Sequence, residues 1–406
     1  MIRVHRSKDE LDALSVKHLK GVKQRVADRL FWVMAISEWC SASGGKVIRR
    51  KIVGFPKLDV KTKWKLLRLI KTRLKVKKNV CESDVQSAIN SISTRKFGSV
   101  IDVCRNRCDG VKSVLDHVDD HLDDILGGQP KVIEKIEKDL RDIYQAWGQT
   151  EQAELENLFR FIFDYDGWSG HQKCGSAIWT PYDLAREYDL KVCPYCNRQY
   201  TSTVWKEKGE GVIRPDFDHF FNQLKHPVLS LSFYNLIPSC SSCNSRLKGK
   251  EEFSLGTHMH PLFEGFDDDE RFSYDYTKTD GRLGEIENSV RIKWREPKTL
   301  ISDERRQKIV KHQKVFSIEA IYQEHRDIVS ELIAKAKNYP PVLFDELRAV
   351  FGLKFTKSDV ARLFLGNYVG LEQLEKRPLA KLTRDICLEL ELIDSKGELQ
   401  HITQLP

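Results

Sequence analysis

Four cysteines in two pairs are the residues of this chain whose spacing points most directly to chemistry. Cys193 and Cys196 form the first pair, Cys240 and Cys243 form the second, and each pair has two residues between its cysteines. That spacing lets two thiolates from one tight turn reach a single metal ion. The two turns together predict one Zn²⁺ held by four sulfurs. A closed four-sulfur site has no open position, so this zinc is expected to be structural.

The segment between the two cysteine pairs carries groups suited to a hard cation and an activated water. Asp218 and His219 are adjacent, and Asn235 and Asn244 follow them. Neighbouring side chains on a strand point in opposite directions, so Asp218 could take a cation on one side while His219 reaches a water on the other. The amide oxygen of Asn244 would complete the hard-metal site. Lys248 would supply positive charge for a phosphate.

These motifs in combination resemble the HNH endonuclease superfamily, in its cysteine-knuckled form with the ββα-metal fold. The resemblance covers residues 193–261 and rests on Asp-His, a spaced Asn, Cys-x-x-Cys-Asn and Lys-Gly. It implies that His219 is the general base that deprotonates water. It implies that Asp218 and Asn244 hold a divalent ion, Mg²⁺, which neutralises the scissile phosphate and the departing 3′ oxygen. Asn235 would hold the loop that orients the His219 ring.

The resemblance also assigns Lys248, whereas a third histidine or asparagine ligand is not fixed by position. Lys248 would contact a backbone phosphate. His258 and His260 are the candidates for the remaining active-site position, and we favour His260; His226 is interpreted as structural. These roles agree with physical chemistry, because a neutral imidazole near pH 7 is a suitable base and a hard cation stabilises charge that develops on phosphate oxygens.

The positive charge of the chain is concentrated in one segment. The formal net charge is +8, and residues 46–78 hold fourteen Lys or Arg against one acid, Asp59, so this segment carries +13 and the remainder −5. Apolar residues interleave these charges and predict a folded amphipathic element. Such asymmetry indicates a polyanion partner, for which nucleic acid is the first candidate. Lys61, Lys65 and Arg68 are the predicted contacts to the nucleic-acid backbone.

Composition favours a protein of the cytoplasm with no membrane partner. The apolar runs are shorter than a bilayer requires, and the first ten residues lack the apolar core of a signal peptide. Thiols stay reduced in the cytoplasm, so ten cysteines predict a metal site and scattered thiols instead of a disulfide framework. Cys104 and Cys108 are interpreted as ordinary thiols, because no second pair completes a site with them.

Hydrophobic periodicity predicts a mostly α-helical chain around this central module. Apolar residues recur at helical spacing over 8–40 and over 131–165, with a break near Gly148. The other predicted helices cover 61–76, 83–92, 303–339, 341–351, 357–365 and 380–392. Short aromatic and β-branched runs predict a hairpin with its tip at 208–211, and strands over 272–276 and 290–294.

The predicted fold class is therefore α+β: a mostly helical chain with a central zinc-stabilised ββα-metal HNH module. The predicted domains are an N-terminal helical domain with the basic segment (1–165), the HNH nuclease module (166–300) and a C-terminal helical region (301–406). The sequence contains no Walker-type phosphate loop, so any ATPase would be a separate chain.

The sequence predicts a metal-dependent endonuclease that hydrolyses phosphodiester bonds of DNA. The chain also resembles bacterial HNH proteins of anti-phage defence, such as those of Septu-type systems, which pair the nuclease with an ATPase subunit. Two alternatives remain open at this point. One is a zinc-stabilised nucleic-acid-binding or adaptor protein that lacks catalysis. The other is an HNH nuclease directed at RNA, because the chemistry is the same for both substrates.

Overall fold

The structure is a computed structural model of the chain. It describes residues 1–42, 47–48, 51–52, 108–170, 179–207, 210–266, 269–277, 282–295, 301–338, 346, 349–350 and 355–400. The predicted helices over 61–76 and 83–92 and most of the basic segment lie outside these residues, and so do Lys61, Lys65 and Arg68.

Helices and small sheets together confirm the α+β class. The described helices are α1 (Lys8–Ala42), α2 (Cys108–Asp120), α3 (Leu122–Gly127), α4 (Pro130–Tyr144), α5 (Gln149–Phe163), α6 (Tyr165–Ser169), α7 (Pro181–Tyr188), α8 (Leu283–Ser289), α9 (Asp303–Val315), α10 (Ile318–Tyr322), α11 (Arg326–Asn338), α12 (Lys357–Leu365) and α13 (Ala380–Glu389). A π-helix covers Ser242–Lys248, and single 3₁₀ turns cover Pro227–Leu229, Phe233–Asn235, Gln323–His325 and Leu371–Gln373.

The described strands form four two-stranded sheets. The strands are β1 (Val47–Ile48), β2 (Lys51–Ile52), β3 (Val204–Trp205), β4 (Gly211–Ile213), β5 (Asp216–His219), β6 (Leu236–Ser239), β7 (Arg271–Tyr276) and β8 (Val290–Arg295). The pairs are β1 with β2, β3 with β4, β5 with β6, and β7 with β8. β7 and β8 are antiparallel with Phe272 opposite Trp294, and these two rings stack at 4.2 Å between centroids. Cross-strand aromatic pairs of this kind stabilise a two-stranded sheet.

Local sequence signals account for most of these elements. The predicted break near Gly148 is confirmed, because α4 ends at Tyr144 and α5 begins at Gln149. At α12, Thr356 Oγ1 accepts from the backbone of Asp359 and the Asp359 carboxylate accepts from the backbone of Thr356, which is a capping box. The predicted hairpin is confirmed by the antiparallel pairing of β3 with β4, although residues 208–209 of its tip lie outside the described part.

The single helix predicted over 303–339 was wrong, because the structure divides it into α9, α10 and α11. Ser317 has a φ of 46°, in the left-handed region that a helix cannot continue through. Phe316, directly before it, is fully buried and stacks on the ring of Tyr195 at 4.6 Å between centroids. Periodicity alone could not reveal this break, because the sequence there has neither glycine nor proline.

The chain divides into two compact units, each built from separate segments. The first unit contains residues 1–11, 182–220 and 237–406, and the second contains 12–181 and 221–236. The three predicted domains, 1–165, 166–300 and 301–406, stay a prediction. The first unit holds the four cysteines, Asp218 and His219, whereas the second is helical and holds Asn235.

The second unit has a core of packed helices, and a polar contact holds α1 against α3. Buried apolar side chains of α2, α4 and α5 form its centre, among them Val118, Leu140 and Phe159. Ser15 donates to the carbonyl oxygen of Gly127 at 2.6 Å, which fixes α1 against the end of α3. No described helix has both the length and the apolar composition that crossing a membrane requires.

Candidate functional site

The four predicted cysteines meet in one buried cluster. Their sulfur atoms all lie within 4.8 Å of one another, and the sulfurs of Cys196 and Cys240 are 3.9 Å apart. Sulfurs on a tetrahedral zinc, at about 2.3 Å from the metal, are separated by roughly 3.8 Å. The donor set therefore fits Zn²⁺. The prediction of a four-sulfur site capable of holding a metal is confirmed.

Backbone hydrogen bonds shape the two cysteine turns and favour a charged sulfur. The backbone N–H of Asn197 donates to the carbonyl of Cys193 at 2.8 Å, and that of Asn244 donates to Cys240 at 3.0 Å. The backbone N–H of Arg198 donates to the sulfur of Cys196 at 3.4 Å. Hydrogen bonds from the other three cysteines, aided by this N–H, lower the pKa of Cys196. A thiolate is the form that binds a metal.

Remote segments of the same unit clamp the first cysteine turn. Asn197 has a left-handed φ of 50°, and its side chain donates to the carbonyl of Leu374 at 2.8 Å and accepts from the backbone N–H of Lys381 at 2.9 Å. The phenol of Tyr322 donates to the carbonyl of Cys196 at 2.6 Å. The turn is thus fixed by the start of α13 and by the end of α10 as well as by its own sulfurs.

Asp218 is held by one residue of the first cysteine turn and by one residue of the π-helix that contains Cys243. It lies on β5 and is 3% exposed. Tyr195, between the first two cysteines, donates its phenol to Oδ2 at 2.6 Å. Lys248, at the end of the π-helix that contains Cys243, donates to Oδ1 and Oδ2 at 2.9 Å each. The first cysteine turn and the π-helix that contains Cys243 therefore both reach the residue that directly precedes His219.

His219 is the last residue of β5 and is 8% exposed. Its carbonyl oxygen accepts a hydrogen bond from the Lys248 ammonium, and the carbonyl of Phe220 accepts from the same group at 3.3 Å. The backbone on both sides of the predicted base is therefore fixed by contacts to one lysine.

Lys248 is an interior residue in this structure. It is 4% exposed, and its ammonium is 4.5 Å from the ring centroid of Phe253. Burial lowers the pKa of Lys248, and the carboxylate of Asp218 opposes that shift. The predicted contact between Lys248 and a phosphate would require the ammonium to leave Asp218.

Asn244 lies in the π-helix and is half-buried. Its backbone carbonyl accepts from the N–H of Gly249 at 3.0 Å, the five-residue step that defines a π-turn. Gly249 has a φ of 50°, which favours glycine at this position. Within the described part of the chain, the side-chain amide of Asn244 makes no hydrogen bond, so its oxygen is available as a ligand.

The structure brings His260 beside the end of β5. His260 is 1% exposed, and its ring centroid is 4.5 Å from that of Phe220. The backbone N–H of Leu262 donates to His260 Nδ1 at 3.4 Å. The other candidate, His258, stacks on Phe253 at 3.8 Å, and burial lowers its pKa to about 4. Of these two rings, His260 is the one found in contact with the residue that follows His219.

Asn235 is fully buried in the second unit, where its side chain binds the backbone of a loop. Its Oδ1 accepts from the backbone N–H of Phe221 at 2.6 Å, and its Nδ2 donates to the carbonyls of Phe221 and Leu229 at 3.2 and 2.9 Å. The loop between 221 and 229 is therefore closed by one side chain. In the same unit, His226 Nδ1 lies 2.8 Å from Glu137, an ion-pair position that suits the structural role expected of it.

The arrangement of donors does not fit the predicted Mg²⁺ at Asp218. Mg²⁺ requires oxygen ligands in near-octahedral geometry. Both oxygens of Asp218 accept from the Lys248 ammonium, which leaves Asn244 as the remaining predicted oxygen ligand. A dication on Asp218 would have to displace a buried ammonium.

Sequence reasoning missed Tyr195. Burial and the neighbouring Asp218 carboxylate raise the pKa of this phenol well above its ordinary value, so it stays protonated and donates. The sequence did show that Tyr195 lies between Cys193 and Cys196, and therefore beside the predicted zinc site. Spacing alone did not indicate that its hydroxyl would reach across to β5.

The chain was compared with protein-family models, with curated proteins and with solved structures, and it matches none of them. The interpretation of the site therefore rests on the residues and contacts described above.

Proposed function

We propose that this chain is a zinc-stabilised endonuclease that hydrolyses phosphodiester bonds of DNA in the cytoplasm, with His219 as the general base. The observation that carries the proposal is the convergence on Asp218 of two groups: Tyr195 of the first cysteine turn at 2.6 Å, and Lys248, at the end of the π-helix that contains Cys243, at 2.9 Å. A structural metal that fixes the residue next to an imidazole is a means of holding a base in place.

In the proposed reaction, the neutral imidazole of His219 takes a proton from a water molecule. The oxygen of that water forms a bond to phosphorus, and the bond from phosphorus to the 3′ oxygen breaks. The departing 3′ oxygen takes a proton from solvent. Positioned general bases contribute about 10²- to 10⁴-fold to such rates. The resemblance to HNH nucleases implies a divalent cation that would neutralise charge on the phosphate. Since both oxygens of Asp218 accept from Lys248, Asn244 is the predicted ligand left to hold it.

The resemblance further suggests a role in anti-phage defence beside a separate ATPase subunit. The basic segment of residues 46–78 supports a nucleic-acid partner through its charge. DNA is the proposed substrate, and RNA is the competitor that the same chemistry would accept.

One observation favours the alternative of an adaptor without catalysis. Asp218, a predicted cation ligand, is neutralised inside the protein by Lys248. An adaptor would need the zinc and the fold but no cation, and would bind nucleic acid without cleaving it.

A cleavage assay separates these functions. Purified protein is incubated with supercoiled plasmid, single-stranded DNA and RNA of matched length, with Mg²⁺ or Mn²⁺ and with a chelator weak enough to leave the zinc in place. The proposal predicts cation-dependent nicking of plasmid, faster than any cleavage of RNA. Binding of all three without cleavage, by protein that holds one zinc per chain, would favour the adaptor.

A further inference from the structure

All the hydrogen-bond donors of the Lys248 ammonium have acceptors inside the protein. It has three N–H bonds, and four oxygens lie within its reach: both carboxylate oxygens of Asp218 and the carbonyls of His219 and Phe220. The side chain is 2% exposed and that of Asp218 is 4% exposed. No donor remains for a phosphate, and no face of the ammonium is open to solvent.

Both carboxylate oxygens of Asp218 likewise accept hydrogen bonds inside the protein. Oδ1 accepts from Lys248, and Oδ2 accepts from Lys248 and from the phenol of Tyr195. A buried ion pair is tolerated when each charge finds its partner and its hydrogen bonds, and this pair satisfies that condition. A divalent ion at Asp218 would leave the ammonium unpaired, buried and next to a second positive charge, which is strongly unfavourable.

The same lysine also fixes the backbone around His219. Asp218 precedes His219 and Phe220 follows it, and Lys248 binds the side chain of the first and the carbonyls of the other two residues. Lys248 itself is held at the end of the π-helix by Gly249, whose left-handed φ turns the chain away directly after it. The Lys248 side chain therefore binds the residues directly before and after the predicted base.

We propose that Asp218 and Lys248 are positioning residues: they form an internal ion pair that sets the end of β5 and the orientation of His219, and Asp218 binds no catalytic cation. The role given to His219 rests on the proposed function. The pairing and the exclusion of a cation from Asp218 do not, since they are properties of the fold.

The test compares four variants of the full-length zinc-loaded chain. Lys248→Met and Asp218→Asn each break the pair, and the double variant replaces both charges, which often restores stability where one change alone does not. Lys250→Met, an exposed lysine two positions later, is the matched control. Zinc content and thermal unfolding check the fold of each variant.

Three readouts follow. Mn²⁺ binding is measured by electron paramagnetic resonance, the ring signal of His219 by NMR with assignment through His219→Gln, and plasmid nicking by gel. We expect Asp218→Asn to leave Mn²⁺ affinity within about twofold of the wild type. Each single change should shift the His219 signal and lower nicking about 100-fold, the effect of a displacement near 1 Å. The double variant should recover part of both, and Lys250→Met should change neither.

Loss of Mn²⁺ binding in Asp218→Asn alone would overturn the proposal and return Asp218 to the role of a cation ligand. An unmoved His219 signal in folded Lys248→Met would also overturn it. If the wild type nicks no substrate, the endonuclease proposal fails, while the Mn²⁺ and NMR results still decide whether the ion pair positions His219.

Discussion

The phenol oxygen of Tyr195 lies 2.6 Å from Oδ2 of Asp218 and donates a hydrogen bond to it. Tyr195 belongs to the first cysteine turn, and Asp218 lies on β5, directly before His219. The bond therefore connects the first cysteine turn to the predicted base, because Tyr195 lies between two of the cysteines and Asp218 directly precedes His219. The order of the metal centre and the position of His219 are expected to depend on each other.

We expect one zinc per chain, and loss of that zinc when a ligand is removed. Cys243→Ser should lower zinc affinity by more than the factor of about 10–100 that follows loss of an outer-shell partner, and it should lower the unfolding temperature. Elemental analysis and thermal unfolding are the measurements.

Cys387→Ala is the matched control for the zinc prediction. Cys387 is also fully buried, but it lies on α13 and is not part of the sulfur cluster. It should keep one zinc per chain. Equal zinc content in the Cys243 and Cys387 variants would contradict the assignment of the cluster.

Asn235→Ala should destabilise the fold through unsatisfied backbone groups. The amide serves one buried N–H and two buried carbonyls, and an unsatisfied buried polar group costs about 1–3 kcal/mol. The expected loss in the free energy of unfolding is about 2–4 kcal/mol, measured by urea unfolding. Asn222→Ala is the comparison: it removes the acceptor of a local bond from the backbone N–H of Leu224, two residues on, and should cost about 1 kcal/mol. Equal effects would argue against Asn235 as the residue that closes the loop.

The sequence predicts some residues and elements of this structure but not others. The cysteine cluster was predictable because the two-residue spacing inside each pair is a local geometric requirement of one metal. The helices α1, α4, α5 and α12 were predictable because their periodicity and caps are local. The break at Ser317 was not, since a left-handed serine follows from the packing of Phe316 on Tyr195.

The partner of Asp218 could not be predicted for the same reason. A lysine at the end of a helix near a presumed phosphate site is ordinarily solvent-facing, and the expectation for Lys248 followed that pattern. The π-turn changes which way the residues after Cys243 face. No sequence signal announces a π-helix of seven residues, so the interior position of Lys248 appears only in three dimensions.

The stability of the second unit should fall as the pH falls from 6.5 to 4, in part through His18. This ring is fully buried: Nε2 lies 2.8 Å from the carbonyl of Leu231 and Nδ1 accepts from the indole of Trp179 at 3.2 Å, which fixes the neutral form. Burial lowers the pKa of His18 from 6.5 to about 4. The unfolded chain then binds the proton more readily than the folded one, so acid favours unfolding.

The effect of His18 should reach about 3 kcal/mol when the pH falls to 4. The measurement is the free energy of unfolding by urea between pH 7 and pH 4, in the wild type and in His18→Asn. The variant should show a shallower dependence on pH, even though it is less stable at pH 7. Parallel curves for the two proteins would show that His18 does not contribute to the acid sensitivity.

The basic segment should govern affinity for nucleic acid at low salt. Reversing the charge of Lys61, Lys65 and Arg68 to Glu should weaken DNA binding at least about tenfold and reduce the dependence of log affinity on log salt by about 3. Fluorescence anisotropy at several salt concentrations measures both quantities.

The control for the basic segment reverses three exposed lysines of the described helices, Lys17, Lys20 and Lys112. These share the change in net charge but lie outside the basic segment. The same loss of affinity in both triple variants would indicate a general charge effect and would exclude residues 46–78 as the contact surface.

The most direct measurement is the rate of plasmid nicking by His219→Ala, with zinc content verified and with His121→Ala, in the turn between α2 and α3 of the other unit, as the control. A general base at His219 predicts a rate at least about 100-fold below that of the wild type, with one zinc retained and with nicking by the control unchanged. Nicking by His219→Ala at the wild-type rate would contradict the assignment of His219 as the base.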